Sequence, residues 1–151
     1  MKTFYNLYKQ KIIISRTKPS VKSIATKVRN ELVKCYGDEE CLRETCLPSS
    51  RDLKKELIKY GYQATITQGV FRVDNPDTKA VSQMDVDGLT EEEIEDAKYN
   101  PLHYWVEVDN LIVDITADQF NNELEDEIMH PITIGTYSEL DRYTPIRKDW
   151  I

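Results

Sequence analysis

Two strand-like segments separated by Asp109-Asn110 constrain the fold more than any other part of the sequence. In residues 103–108 and 111–115, apolar side chains recur at every second position, as in strands that bury one face. Asp and Asn tolerate the positive φ angles of a two-residue turn, so the segments are predicted to form an antiparallel hairpin. The predicted register places Val108 opposite Leu111, Val106 opposite Val113 and Tyr104 opposite Ile115.

The second face of this hairpin carries side chains suited to proton transfer. His103 lies on that face at the start of the first strand, and Asp114 lies diagonally across from it on the second strand. Diagonal neighbours on one face are about 7–8 Å apart at Cα, which allows a carboxylate to accept a hydrogen bond from an imidazole. We therefore expect Asp114 to orient His103. This expectation depends on the turn, because a slip of one residue would separate the two side chains.

Two helices are predicted before the hairpin. Residues 21–36 place apolar side chains at helical spacing between a capping Ser20 and a terminating Gly37. Residues 46–60 form a second amphipathic segment, which Thr45 is expected to cap.

The remaining segments complete an α+β pattern. Residues 63–74 are rich in β-formers and predict a strand, in which Gly69 marks a bulge or a bend. Residues 75–101 are acidic and turn-rich, and we interpret them as a surface insertion that contains a short helix opened by Thr90. A last strand is predicted at residues 132–137.

The length of 151 residues suits a single domain over residues 1–151. We divide it into an N-terminal helical part, residues 1–45, and a core, residues 46–151. In the core, the helix that starts at Cys46 is expected to pack on an antiparallel sheet.

Composition narrows the class of partner and the compartment. The net charge of −7 argues against nucleic acid as a partner, because phosphate binding requires clustered unpaired Lys and Arg. No apolar run is long enough to cross a bilayer, and no secretory signal pattern is recognisable, so no membrane association and a cytoplasmic location are expected. The odd set of three cysteines favours reduced thiols over a disulfide framework.

Cys46 is the strongest candidate for a nucleophile among these thiols. It occupies the first turn of the second predicted helix, and a helix N-terminus beside a histidine favours the thiolate. Cys35 lies near the end of the first helix, where the helix dipole opposes a thiolate, and Cys41 lies in the linker.

Taken in order, these residues resemble the transglutaminase-like cysteine enzymes of the papain-like superfamily. Members of that family combine a Cys that starts a helix, a Gly-containing turn followed by Ala, a strand ending in Gly, a His-x-Trp-x-Glu segment and an Asp-x-Thr segment. The corresponding stretches here are Cys46, Gly61-Tyr62-Gln63-Ala64, Gly69, His103-Tyr104-Trp105-Val106-Glu107 and Asp114-Ile115-Thr116. The likeness covers about half of the chain, residues 46–120, and the extension Ala117-Asp118-Gln119-Phe120 is similar to small bacterial and phage members.

The resemblance implies a cysteine-dependent acyl-transfer enzyme that acts on an amide bond through a thioester intermediate. Cys46 would be the nucleophile, His103 the general base and Asp114 its orienter. A peptide or protein is the expected substrate, and no cofactor or metal is expected. Peptide hydrolysis, deamidation and transamidation share the first half-reaction, and no motif separates them.

Substrate-binding residues are less well defined. Family members often carry Gly or Trp beside the nucleophile, whereas Thr45 precedes Cys46 here and Leu47-Pro48 follows it. The backbone N–H of Cys46 is the expected first donor to an oxyanion. Candidates for a second donor are Gln63, Gln68 and Gln119, and Gln119 is also assigned to substrate binding with Trp105, which is interpreted either as the floor of a channel or as a core aromatic.

Simpler interpretations stay open beside this one. Cys46 can be a buried structural thiol, and His103 a strand histidine whose ring is satisfied. A zinc site formed by the three cysteines and a histidine has suitable ligands, but the intervals are longer than the usual paired spacing. The alternative function is a catalytically inactive module of the same fold that binds a peptide or protein.

Overall fold

The computed structural model describes residues 18–37, 45–76 and 83–150, and it has the predicted α+β class. The helices in these ranges are α1 (Val21–Tyr36), α2 (Cys46–Lys59), α3 (Gln83–Val86) and α4 (Glu91–Ala97), with a 3₁₀ helix at Ala117–Glu123. The strands are β1 (Ala64–Phe71), β2 (Leu102–Val108), β3 (Leu111–Asp114), β4 (Thr133–Gly135) and β5 (Tyr143–Trp150).

The first helix begins and ends as the sequence predicts. The Ser20 side chain accepts a hydrogen bond from the backbone N–H of Ser23 at 3.1 Å, and this satisfies one of the N–H groups that have no partner within the helix. Gly37 ends α1 with φ of 94°, a left-handed conformation that glycine adopts without strain.

The start of α2 differs from the prediction in one respect. The helix begins at Cys46 and carries Pro48 in its first turn, but the Thr45 side chain makes no capping hydrogen bond. The backbone of Thr45, at φ −102° and ψ 17°, is not in the extended conformation of a capping residue. Its hydroxyl instead lies 3.1 Å from the hydroxyl of Ser49.

Five antiparallel strands form one sheet in the order β4-β3-β2-β1-β5. The predicted hairpin is present as β2 and β3, with Val106 paired to Val113 and Val108 to Leu111. Asp109 and Asn110 have φ of 51° and 65°, as a two-residue turn between twisted strands requires. Two of the three predicted pairs are therefore confirmed, and the third, Tyr104 with Ile115, lies beyond the end of β3.

The predicted irregularity in β1 is also present. The pairing between β1 and β5 shifts register between Gln68 and Gly69. On its other side Gly69 pairs with His103, so the irregular strand lies directly beside the histidine.

The C-terminal part contains a strand that the sequence did not predict. The strand expected at residues 132–137 is shortened to β4, and β5 follows it and pairs with β1 at the edge of the sheet. Pro145 lies within β5. A proline lacks a backbone donor and is confined to edge strands or bulges, so it weakens the sequence signal for a strand.

The two faces of the sheet are covered differently. Helices α1 and α2 cover one face and bury a cluster that includes Ile66, Tyr104 and Val106. The other face carries a second cluster beneath the 3₁₀ helix and the segment after it, and Phe120 there stacks on Phe71 with a centroid distance of 4.4 Å. No helix in the described ranges has the length and apolar character needed to cross a membrane.

Candidate functional site

His103 and Asp114 meet on the face of the hairpin that the register predicts. The ring nitrogen Nε2 of His103 lies 2.6 Å from Oδ2 of Asp114, a short hydrogen bond of the kind that charged partners favour. Both side chains are almost completely buried. Because the two strands are joined by a two-residue turn, the chain has little freedom to separate these side chains.

Asp114 is held by further donors at both carboxylate oxygens. The backbone N–H of Thr116 donates to Oδ1 at 2.9 Å, and the Thr116 hydroxyl lies 3.4 Å from the same oxygen. The phenol of Tyr143 donates to Oδ2 at 2.7 Å. Sequence reasoning missed Tyr143 because the strand that carries it was not predicted.

The remaining nitrogen of the imidazole is the one available to Cys46. Nδ1 of His103 is buried and makes no hydrogen bond of standard geometry with any described residue. Cys46 nevertheless lies near enough to raise the pKa of His103 through hydrogen bonding and charge. Since Nε2 is engaged by Asp114, Nδ1 is the ring nitrogen that remains for a thiol, and catalytic hydrogen bonds often close only when substrate binds.

Helix α2 is fixed against the strand that carries His103. Ser50, one turn after Cys46, donates from its hydroxyl to the backbone carbonyl of Tyr104 at 3.3 Å. Leu53 and Leu57, further along the same face of α2, are completely buried in the cluster beneath the helices. These contacts bring the N-terminus of α2 to the start of β2.

The electrostatics of the pair favour a charged histidine. Burial by itself lowers the pKa of His103, but the charge and hydrogen bond of Asp114, with a smaller contribution from Cys46, raise that pKa from 6.5 to about 10. Burial likewise raises the pKa of Asp114, and the charge of His103 together with the hydrogen bonds holds it below the usual 3.8. Both shifts therefore favour the ionised forms of the two groups.

The three members of this group differ in their access to solvent. His103 is enclosed by aromatic rings, including the edge of Phe120 at a centroid distance of 4.9 Å and Trp105 at 6.0 Å. Cys46 is half-buried at the start of its helix. Cys46 is thus the most accessible of the three residues, while the side chains of His103 and Asp114 are shielded from water.

The structure places Trp105 in the core, which favours the second of its two interpretations, a core aromatic, over a role in substrate binding. Its side chain is completely buried, and its indole N–H donates to the hydroxyl of Tyr137 at 3.0 Å. Gly69 lies against the indole, so the aromatic ring fills the space beside the irregular strand. Trp105 therefore packs against described residues of the second cluster.

The glutamines proposed as oxyanion donors occupy different surroundings. Gln119 is half-buried and donates from Nε2 to the carbonyl of Thr116 at 2.9 Å. Gln68 is completely buried and donates to the carbonyl of Asp85. Gln63 is exposed after the end of α2. These contacts do not identify any of the three as an oxyanion donor, and the second donor stays unassigned.

Of the other two cysteines, the structure describes only Cys35. Cys35 is exposed near the end of α1, and Cys41 lies outside the described residues. In the part of the chain that the structure describes, no group of three or more His, Cys, Asp or Glu side chains is arranged to hold a metal ion.

Comparison with known proteins found no matching family model, no similar curated protein and no similar solved structure. The likeness to transglutaminase-like enzymes therefore depends on the motif residues and on the arrangement of Cys46, His103 and Asp114.

Proposed function

We propose that this protein is a cysteine-dependent acyl-transfer enzyme of the transglutaminase-like type, with a papain-like core. Its proposed substrate is an amide bond in a peptide or protein. One observation carries the proposal: the buried ring of His103 is bound to Asp114 through Nε2, while Nδ1 is left for a thiol at a helix N-terminus.

In the proposed first half-reaction, the Cys46 thiolate attacks the amide carbonyl carbon, and a C–S bond forms as the π electrons move to oxygen. The backbone N–H of Cys46 belongs to the first turn of α2, where no intrahelical acceptor is available, and it can donate to the resulting oxyanion. Collapse of this intermediate breaks the C–N bond. The leaving amine takes a proton from Nδ1 of His103, and a thioester and a neutral imidazole remain.

In the second half-reaction, the neutral imidazole removes a proton from water or from a second amine as that molecule attacks the thioester. The C–S bond breaks, and the thiolate and the imidazolium are regenerated. Asp114 keeps the ring oriented in both directions of proton transfer, as the acid of a catalytic triad does.

Alkylation with iodoacetamide tests the proposal, because the chain contains its own comparison thiol. Cys46 should react about tenfold or more faster than the exposed Cys35 near neutral pH, measured by mass spectrometry of the peptides. The variant His103→Gln should slow Cys46 to the rate of Cys35 and leave Cys35 unchanged. His130→Gln, a change in the exposed second histidine, is the matched control and should alter neither rate.

A second measurement separates an enzyme from an inactive binding module. With p-nitrophenyl acetate as an activated acyl donor, we expect a stoichiometric burst of p-nitrophenol and an acetyl group on the Cys46 peptide. Cys46→Ser should abolish both. Equal, slow alkylation of the two thiols together with no burst would favour the binding module.

A further inference from the structure

We infer that Tyr143 is a positioning residue that holds the Asp114 carboxylate in the orientation in which it binds His103. The inference rests on the proposed function. The phenol donates to Oδ2 at 2.7 Å, and this oxygen is the one that lies 2.6 Å from Nε2 of His103. The two donors thus share a single carboxylate oxygen.

The sharing of this oxygen restricts the rotation of the carboxylate. Thr116 holds Oδ1, and the phenol and the imidazole occupy both acceptor sites of Oδ2. Without Tyr143, Oδ2 would be fixed only by the ring that it is meant to orient. Tyr143 therefore holds Oδ2 through a donor whose charge does not change during proton transfer.

Tyr143 is itself rigidly held. It is buried, and its ring makes edge contacts with Phe71 and Trp105 at centroid distances of 5.2 and 5.0 Å. Its backbone pairs with Phe71 where β5 joins the sheet. The edge strand β5 thus supplies a side chain that reaches Asp114, the acid of the candidate site.

The surroundings of Tyr143 favour the protonated phenol, which is the form that donates a hydrogen bond. Burial, followed by the charge and hydrogen bond of Asp114 and the charge of Glu127, raises the pKa of Tyr143 well above 10. The other groups that act on the pair are Cys46, which acts on His103, and the backbone N–H of Thr116, which acts on Asp114.

The test is a double-mutant cycle on the alkylation rate of Cys46 by iodoacetamide. Tyr143→Phe should slow Cys46 by about three- to tenfold at neutral pH and leave Cys35 unchanged. In the Asp114→Asn background the same change should have no further effect, because the carboxylate it positions is gone. Tyr137→Phe removes another phenol, a half-buried one that accepts a hydrogen bond from Trp105, and it should leave the Cys46 rate unchanged.

The pH profile gives a readout that a purely structural role would not move. Since the hydrogen bond from Tyr143 lowers the pKa of Asp114, the part of the acid limb of the Cys46 rate that follows protonation of Asp114 should move to higher pH in Tyr143→Phe. If that variant does not fold, site-specific 3-fluorotyrosine keeps the hydroxyl as a stronger donor, and the limb should move to lower pH.

The outcomes distinguish failure of the positioning role of Tyr143 from failure of the proposed function. Fast alkylation of Cys46 in the wild-type protein, with an acid limb unmoved by both replacements of Tyr143, would overturn the positioning role alone. The positioning role would also be overturned if the effects of Tyr143→Phe and Asp114→Asn on the Cys46 rate were additive in the double variant. A wild-type Cys46 that reacts no faster than Cys35 would overturn the proposed function and this inference with it.

Discussion

Arg29 and Asp118 form a two-pronged ion pair, with distances of 2.9 Å from Nη1 to Oδ1 and 2.8 Å from Nη2 to Oδ2. Arg29 also donates to the backbone carbonyl of Ile115 at 2.6 Å, directly after Asp114. Helix α1 thereby fixes the segment that leaves the candidate site, although it is distant in the chain. The guanidinium is almost completely buried. Its loss would remove a hydrogen-bond donor from both the Asp118 carboxylate and the Ile115 carbonyl.

Arg29→Ala should lower the free energy of unfolding by about 3 kcal/mol, because it removes a buried guanidinium with its bonds to the partly buried Asp118 carboxylate and to the Ile115 carbonyl. Urea denaturation measures the change. Lys27→Ala on the same helix removes an exposed ion pair with Glu56 and should shift the midpoint very little. Equal shifts for the two variants would contradict a positioning role for α1.

The ion pair between His103 and Asp114 should make stability depend on pH in a defined direction. The raised pKa of His103 means that its contribution is complete below about pH 6.5 and is lost as the pH rises to about 10. The lowered pKa of Asp114 means that its contribution is present above 3.8 and is lost as the pH falls below that value. The difference in unfolding free energy between wild type and Asp114→Asn should therefore be larger near pH 6 than near pH 10.5.

Other groups that titrate near pH 10 affect both proteins and cancel in this difference. Asp109→Asn, a change in an exposed turn residue that keeps a side chain tolerant of positive φ, should give the same difference from wild type at both pH values. A difference for Asp114→Asn that is constant with pH would mean that the two side chains are not ionically coupled.

The parts of the fold that were predicted correctly have local causes. The hairpin follows from alternation around Asp109-Asn110, and α1 follows from apolar spacing between Ser20 and Gly37. In each case the residues that decide the structure are close in the chain. The hydrogen bond between His103 and Asp114 could be predicted because it follows directly from the register of that hairpin.

The parts that were missed depend on contacts between distant segments. The strand β5 has a weak local signal because of Pro145, and its place beside β1 is set by tertiary packing. Tyr143 could not be connected to Asp114 without that pairing. The position of Trp105 was ambiguous for the same reason, since only the cover supplied by residues after the hairpin decides whether that face is buried.

We expect that β1, the irregular strand beside His103, has no room for a side chain at Gly69. A Cβ there would lie 2.2 Å from both the carbonyl oxygen of Thr144 and the indole of Trp105. Gly69→Ala should cost about 3 kcal/mol or more, measured by thermal or urea unfolding. Gly135→Ala in β4 is the matched control: its Cβ meets only the flexible Leu140 side chain at 3.0 Å, so it should be much milder. Similar losses would indicate that strand glycines matter here only through backbone entropy.

Tyr104 should control how firmly the acidic insertion is held on the sheet. Its phenol donates to the Asp85 carboxylate at 2.8 Å and accepts from the amide of Gln68 at 3.2 Å. Tyr104→Phe removes a hydrogen bond to a charged group, so amide exchange in residues 83–88 should accelerate about tenfold while β2 stays protected. Tyr99→Phe makes the same chemical change at a half-exposed position in the insertion and should leave the exchange unchanged. Unaltered exchange in Tyr104→Phe would show that other contacts hold the insertion, whereas acceleration that spreads through β2 would mean that the phenol stabilises the whole sheet.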